Sequence, residues 1–210
     1  MKILGKWLPL LSFGGSADYW RKRYRYGGDS GAGSGGESAA YKAGVVNRFV
    51  ADHSIERVIE FGCGDGRQLT LAEYPSYLGF DISSEAVALC REKFRLDQSK
   101  QFLSMDEFQS QSADATLSLD VIFHLVEDHV YRDYLECLFS SAKKYVVIYS
   151  TLDECRHRTL RHVRHRKVAE DVARWFPKFV RMSDYEAGLP LPAPSWDGGA
   201  RFLLYVRDVA

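Results

Sequence analysis

The feature that most constrains the fold is a glycine-rich bend that directly follows an apolar run. The run Arg57-Val-Ile-Glu-Phe61 predicts a short buried strand, and the chain continues into Gly62-Cys-Gly-Asp-Gly66. Glycines at alternate positions allow a tight turn and let a ligand come close to the main chain. A strand, a glycine bend and the start of a helix together predict a βα unit that binds a ligand where the strand ends.

Strand and helix patterns alternate along most of the chain, which predicts an α/β fold. Such alternation forms parallel sheets, and right-handed crossovers place helices on both faces of a doubly wound sheet. The last two strand patterns are joined by a loop without a helix pattern, which predicts an antiparallel hairpin at one edge. The predicted strands span residues 57–61, 77–81, 101–104, 115–120, 145–149, 178–182 and 201–207, and the predicted helices span residues 37–53, 66–74, 84–96, 127–142 and 156–175.

The first 36 residues differ in composition from the rest of the chain. An aromatic and basic segment at residues 19–26 precedes Gly27–Glu37, which is mostly glycine and therefore conformationally free. We interpret residues 1–36 as an N-terminal arm with a glycine-rich lid, and residues 37–210 as the main domain. A flexible linker is the alternative interpretation of the glycine-rich segment. For the start of the chain we favour a packed or loose arm over a signal peptide or an interfacial anchor.

Composition excludes several classes of protein. The chain has 210 residues, of which 46% are hydrophobic, and this suits one globular domain. Lys and Arg total 28, as do Asp and Glu, so the chain lacks the basic field of a bulk nucleic-acid binder. No apolar run approaches the roughly 20 residues of a membrane span. Because Cys63, Cys90, Cys137 and Cys155 show no Cys-x-x-Cys spacing, we expect reduced thiols, no bound metal and a cytoplasmic location.

Acidic residues around the bend indicate the kind of ligand. Asp81 ends the second predicted strand, where a carboxylate can accept hydrogen bonds from both ribose hydroxyls of an adenosine. Glu60 and Asp65 would repel a pyrophosphate and would favour a ligand with an ammonium or a sulfonium group. The spacing also departs from Gly-x-Gly-x-x-Gly, because Arg67 stands where the third glycine would be. The pattern therefore argues against NAD and toward S-adenosylmethionine.

Three segments resemble the successive signatures of class I S-adenosylmethionine-dependent methyltransferases. They are Glu60-Phe-Gly-Cys-Gly-Asp-Gly66, Phe80-Asp-Ile-Ser83 and Ser118-Leu-Asp-Val-Ile-Phe-His124. The resemblance covers roughly residues 37–150. It implies a Rossmann-like fold with a seven-stranded sheet whose last strand is antiparallel, and S-adenosyl-L-methionine as the cofactor. More narrowly, the stretches 20–34 and 162–166 resemble a group of small bacterial methyltransferase-domain proteins.

The resemblance also implies roles for ten residues of a cofactor site. The methionine end would be lined by Glu60, Gly62, Cys63 and Gly64, with Leu119 and Asp120 beside it. Asp81 would hold the ribose, Ile82 would pack on the adenine, and Met105 and Asp106 would lie at the adenine edge. For Asp106 and Asp120, a role as helix caps is the alternative interpretation.

Histidines and arginines after the fourth and fifth predicted strands are candidates for the acceptor side. His124 lies four residues past Asp120, where a base that takes a proton from an oxygen nucleophile would assist methyl transfer. A packing or capping histidine is the alternative. The segment 156–167 is rich in arginine and histidine, which indicates either a solvated helix face or a site for an anionic acceptor. The candidates within it are His162, Arg164, His165 and Arg166, because the narrower resemblance includes them.

With the resemblance, these residues predict an enzyme that transfers a methyl group from S-adenosyl-L-methionine to a small molecule, which is anionic if the arginines bind it. The alternatives are a methyltransferase that acts on protein or nucleic acid, an aminopropyl transferase, and a module that binds an adenosyl ligand without turnover. The lack of an attached recognition domain favours a small acceptor over nucleic acid or protein. The sequence leaves the oligomeric state open.

Overall fold

One seven-stranded sheet organises the part of the chain that the structure, a computed structural model, describes: residues 13–151, 160–189 and 199–208. The strands are β1 (Arg57–Phe61), β2 (Ser76–Asp81), β3 (Lys100–Ser104), β4 (Ala113–Leu119), β5 (Ala142–Ser150), β6 (Phe179–Arg181) and β7 (Arg201–Arg207). Their order is β3-β2-β1-β4-β5-β7-β6. The first five strands pair in parallel, and β7 is antiparallel to both of its neighbours. This confirms the predicted doubly wound, mostly parallel sheet with an antiparallel last strand.

Six α-helices accompany the sheet in the described residues. They are α1 (Ser16–Arg25), α2 (Gly36–Asp52), α3 (Ser84–Lys93), α4 (Asp128–Ser141), α5 (Val168–Trp175) and α6 (Ser183–Ala187). Helices α2, α3 and α6 pack on one face of the sheet, and α4 and α5 on the other. None of the helices in these ranges is long and apolar enough to cross a bilayer.

The central strands are buried on both faces, as parallel strands between two helix layers must be. In β1, Val58 contributes to the core beneath α2, while Ile59 and Phe61 contribute to the core beneath α4. The opposite faces are covered by Phe49 of α2 and Leu135 of α4, both fully buried. This packing fixes the carboxyl ends of β1, β2 and β4 along one edge of the sheet.

Three sequence predictions are wrong in detail. In place of a helix over residues 66–74, the chain forms a single 3₁₀ turn at Gln68–Leu71. The sequence predicts a single helix over residues 156–175. Of this stretch the structure describes residues 160–175, in which the helix is α5, and residues 152–159 lie outside the description. Residues 160–167 are not helical, because the Arg164 amide donates to the Phe123 carbonyl at 2.8 Å and so ties this stretch to the loop after β4. The hairpin of β6 and β7 is antiparallel as predicted, but the short helix α6 interrupts its connection.

Helix α1 lies across the edge where the strands end. At its start, Ser16 donates its amide and its hydroxyl to the Glu127 carboxylate, at 2.9 and 2.5 Å. Farther along, Arg21 donates to the Ile82 carbonyl at 3.2 Å and Arg25 pairs with Glu85. The helix therefore bridges the loop after β4 and the loop after β2. Residues 1–12, the first part of the predicted arm, lie outside the described residues.

Gly44 in α2 and Gly66 in the glycine bend are expected to respond in opposite directions to substitution by alanine. Gly44 lies exposed inside α2, and a Cβ there would meet nothing within 4 Å. Gly44→Ala is expected to raise the free energy of unfolding by about 0.5–1 kcal/mol, because alanine has the higher helix propensity.

Urea denaturation measures this change. Gly66→Ala is the contrasting variant: Gly66 has φ 71°, and a Cβ would lie 2.8 Å from the Phe94 ring, so a loss of about 1–3 kcal/mol is expected. Equal effects of the two substitutions would contradict this account.

Candidate functional site

The glycine bend after β1 has the backbone geometry that only glycine adopts readily. Gly62, Gly64 and Gly66 have φ values of 82°, 57° and 71°. The Gly62 and Cys63 amides donate to the Phe80 carbonyl of β2, at 2.7 and 3.0 Å, so the bend folds back over the neighbouring strand. A Cβ on Gly64 would lie 2.8 Å from the Tyr24 hydroxyl oxygen. The bend thus leaves main-chain atoms exposed toward the space beneath α1.

Asp81 ends β2 beside this bend, and its carboxylate is buried. It accepts hydrogen bonds from the Gly64 and Ser83 amides, each at 2.9 Å. Burial raises the pKa of Asp81 to about 6, and the two amide donors oppose that rise. Each carboxylate oxygen accepts one of these two short hydrogen bonds, and the Ile82 amide also stabilises the carboxylate, which still has acceptor capacity for a ligand.

Glu60 in β1 is a second buried carboxylate at this edge. The Tyr77 hydroxyl donates to its Oε2 atom at 2.7 Å. Burial raises the pKa of Glu60 to about 7, whereas the Tyr77 hydrogen bond and the charge of Lys42 lower it. Glu60 therefore changes charge near neutral pH.

Asp120 follows β4 and forms an ion pair with Lys42 of α2. Asp120 has φ 60°, a left-handed conformation that aspartate tolerates better than most residues. Its amide donates to the Tyr149 carbonyl at 3.1 Å, which holds the turn against β5. The Lys42 side chain is 1% exposed. The sequence does not identify Lys42 as a site residue. Ala39, Val45 and Val46, which lie three or four positions away in α2, are apolar and predict another core position.

The glycine-rich segment packs on the bend. The Ser30 hydroxyl donates to Asp65 Oδ1 at 2.8 Å and lies 2.9 Å from the Tyr24 hydroxyl. Asp29 pairs with both Arg23 and Arg67, so the segment is tied to α1 and to the bend. The segment thus covers the bend, as a lid would. Its opening stays a prediction.

These elements enclose a cavity of about 300 Å³. Ten predicted site residues line it: Glu60, Gly62, Cys63, Gly64, Asp81, Ile82, Met105, Leu119, Asp120 and His124. The arm contributes Ser16, Ala17, Trp20, Tyr24, Ser30 and Ser34, and helix α4 contributes Val130, Asp133, Tyr134 and Cys137. Asp106 is not among the lining residues; it is exposed in the 3₁₀ turn Met105–Glu107.

His124 lies at the α1 side of the cavity among other rings. The Trp20 ring meets it edge-on with centroids 4.8 Å apart, and the His162 ring stacks on it at 5.5 Å. Its Nδ1 atom is 3.1 Å from the His162 carbonyl, which only accepts, so Nδ1 carries the proton and Nε2 is left as an acceptor. Burial lowers the pKa of His124 well below its usual range, and nearby positive charges add to this effect.

The other predicted candidates for the acceptor side do not line the cavity. His162 stacks on Tyr19 of α1 with centroids 4.1 Å apart. His165 Nδ1 lies 2.6 Å from the Thr151 hydroxyl. Arg166 is buried; it donates to the Leu125 and Val126 carbonyls at 2.8 and 2.9 Å and pairs with Asp128. In this arrangement His162 and Arg166 hold the loop that carries His124, and His165 contacts Thr151 after β5.

Trp20 and Tyr134 are cavity residues that the sequence did not reveal as such. Trp20 belongs to an aromatic segment that is predicted to help cover a ligand. Which of its aromatic rings enters the cavity depends on how α1 packs against the loops after β2 and β4. The Tyr134 hydroxyl of α4 donates to the Phe61 carbonyl at 2.9 Å, and its oxygen lies 2.7 Å from the Ser118 hydroxyl. An amphipathic helix pattern gives no sign of such contacts with strand ends.

The middle of the chain matches a known family. A family model described as a methyltransferase domain matches residues 58–144, which include the glycine bend, Asp81, Asp120 and His124. A comparison with curated proteins gives no match.

Solved methyltransferase structures share the fold. The chain is 15% identical to magnesium protoporphyrin IX methyltransferase (ChlM) from Synechocystis PCC 6803 with bound S-adenosylhomocysteine, with a TM-score of 0.62 over 98% of this chain and 94% of that chain. It is 12% identical to the N-methyltransferase NodS from Bradyrhizobium japonicum WM9 (TM-score 0.62, 81% and 87% covered) and 16% identical to the methyltransferase domain of bacterial CtHen1 (0.60, 80% and 98%). The family match and this fold confirm the resemblance to class I methyltransferases.

The environment of His124 predicts its titration. The folded protein is expected to keep this imidazole neutral at about pH 5.5, roughly one unit below an ordinary histidine. Since the unfolded chain then binds a proton that the folded chain does not, His124 should cost stability as the pH falls below about 6.5.

Nitrogen NMR of the imidazole measures this titration. The His124→Gln variant assigns the signal and should show a weaker loss of stability in acid. A His124 signal that titrates at the ordinary pH would contradict the burial that we describe.

Proposed function

We propose that this chain, which has the fold of class I S-adenosylmethionine-dependent methyltransferases and matches the methyltransferase-domain family over residues 58–144, transfers a methyl group from S-adenosyl-L-methionine to a small acceptor. The observation that carries the proposal is the buried Asp81 carboxylate beside the glycine bend, inside a cavity lined by further acids.

The residues of the cavity fit an adenosyl ligand. Asp81 keeps acceptor capacity for ribose hydroxyls, since a carboxylate has about four lone-pair sites and the amides around it do not fill them. Ile82 and Met105 offer apolar side chains for the adenine, and they lie next to Asp81 along the cavity wall. The bend brings its main chain close to the space beside them. We assign the adenosine end of the cofactor to these residues.

The charges of the cavity fit the other end of the same molecule. Glu60 and Asp120, both of which line the cavity, supply negative charge for an ammonium and a sulfonium. A pyrophosphate would meet Glu60 and Asp120 in the cavity and would be repelled. The charge distribution therefore supports S-adenosyl-L-methionine over a dinucleotide.

When bound, S-adenosyl-L-methionine supplies a methyl group on a sulfonium, which is an excellent leaving group. The chain itself then has to align the acceptor and exclude water. Helix α1 closes the cavity with Ala17 and Trp20, and Ser16 fixes the helix start to the loop after β4. His124 offers Nε2 as a hydrogen-bond acceptor for an O–H or N–H nucleophile, which would orient that nucleophile.

We propose a small acceptor because α1 and the glycine-rich segment cover the cavity. Two proteins with this fold, the magnesium protoporphyrin IX methyltransferase and the N-methyltransferase NodS, are consistent with that size class. The anionic acceptor stays a prediction. Arg164 and Arg166 bind Asp128 and the carbonyl of Val126 instead of facing the cavity.

Asp81→Ala tests the cofactor assignment. Loss of the carboxylate removes charged acceptors for two hydroxyls, and the dissociation constant for S-adenosylmethionine should rise roughly 100-fold or more, equivalent to about 3 kcal/mol. Calorimetry measures this value, with Asp184→Ala, an exposed acid in α6, as the control. Unchanged affinity in Asp81→Ala would remove Asp81 from the site.

His124→Ala tests the acceptor side. Release of S-adenosylhomocysteine is first measured against a panel of small phenols, amines and carboxylic acids to find an acceptor. With that acceptor, His124→Ala should lower kcat roughly 10²-fold or more and leave cofactor affinity nearly unchanged. A variant with weakened cofactor binding and normal kcat would make His124 a binding residue.

A further inference from the structure

Lys42 is an unusual residue for its position in α2. Its side chain is 1% exposed, and it shares the buried face of the helix with Ala39 and Val46. A buried ammonium costs several kcal/mol unless acids compensate it, so a lysine at such a place requires specific partners.

One partner is Asp120, which is held from two sides. Its carboxylate meets the Lys42 ammonium, and a Cβ on Gly33 would lie only 2.7 Å from Asp120 Oδ2. The carboxylate thus lies between α2 and the glycine-rich segment. Lys42 fixes the position of an acid that lines the cavity.

Glu60 is the second acid that the charge of Lys42 affects, and both residues line the same cavity. Its carboxyl is buried, and its pKa of about 7 reflects a balance between burial, which raises it, and the Tyr77 hydrogen bond and Lys42, which lower it. The titratable and charged groups that act electrostatically with Glu60 come from every element around it: Lys42 of α2, Tyr77 and Asp81 of β2, Asp120 after β4, Tyr134 of α4, and Cys63 and Tyr74 in the adjoining loops. Among these groups Lys42 carries the positive charge.

We propose that Lys42 is a positioning residue of the cofactor site: its buried ammonium holds the Asp120 carboxylate in place and favours the ionised form of Glu60, so that the cavity presents negative charge to a cationic ligand. The identity of that ligand rests on the proposed function. The charge balance among Lys42, Asp120 and Glu60 does not depend on it.

The expected pH dependence follows from the sign of each charge. Protonation of Glu60 removes a negative charge, so affinity for S-adenosylmethionine should fall as the pH decreases through about 7. Without Lys42, Glu60 binds its proton more readily, and the fall should begin at a higher pH. Without the negative charge of Asp120, the positive charge of Lys42 acts on Glu60 with less opposition. Glu60 then loses its proton more readily, and the fall should begin at a lower pH.

The experiment compares Lys42→Met and Asp120→Asn with the unmodified protein. Carbon NMR follows the Glu60 carboxyl in the ligand-free protein, and calorimetry follows the dissociation constants of S-adenosylmethionine and S-adenosylhomocysteine across the same pH range. Lys42→Met should move the Glu60 midpoint upward by roughly 0.5–1 pH unit, and Asp120→Asn should move it downward. Lys143→Met, which removes an exposed lysine of β5, is the control and should move neither.

The opposite directions keep the proposal open to refutation even if Lys42→Met does not fold, because Asp120→Asn alone must move the midpoint downward. Midpoints that stay unchanged, or that move in the same direction in both variants, overturn the proposal. If the NMR midpoints move as expected but neither ligand binds the unmodified protein, the charge balance stands and the proposed function fails.

Discussion

The convergence of Glu60, Asp81 and Asp120 at one edge of the sheet is the constraint around which the site is arranged. These acids follow from strand ends, because β1, β2 and β4 are parallel neighbours and terminate side by side. Carboxylates this close repel one another and lose hydration when buried. The protein answers with different devices: backbone amides on Asp81, a tyrosine hydroxyl on Glu60, and Lys42 on Asp120. A cationic ligand would complete this compensation.

The arm builds the second half of the site over that edge. Helix α1 is fastened at its start by Glu127, in the loop after β4. Along its length it is fastened by Ile82, in the loop after β2, and by Glu85 of α3. The glycine-rich segment then returns over the bend through Ser30 and Asp65. The cofactor assignment and the acceptor assignment therefore depend on the same short helix, which separates the cavity from solvent.

The stretch after β5 has a supporting role that its composition did not suggest. Two of its arginines, Arg164 and Arg166, bind Asp128 and main-chain carbonyls of residues 125 and 126, and His162 stacks between Tyr19 and His124. These contacts tie α1, the His124 loop and α4 into one wall. The sequence predicts either a solvated helix or an anion site for this basic stretch. In the structure, Arg164 and Arg166 instead donate to main-chain carbonyls of the adjacent loop and stabilise it.

The sequence by itself determined the sheet, the bend and most of the acids, because these depend on local patterns: apolar runs of strand length, glycines that need positive φ, and carboxylates placed at strand ends. It did not determine the roles of Lys42 and Trp20 in the cavity or the partners of Arg166, since each depends on which distant groups lie within a few ångströms. A lysine among apolar residues of a helix shows its role only once Asp120 is placed against it by β4. Tertiary structure decided these positions because the free energy of a buried charge depends on its partners and not on its neighbours in the chain.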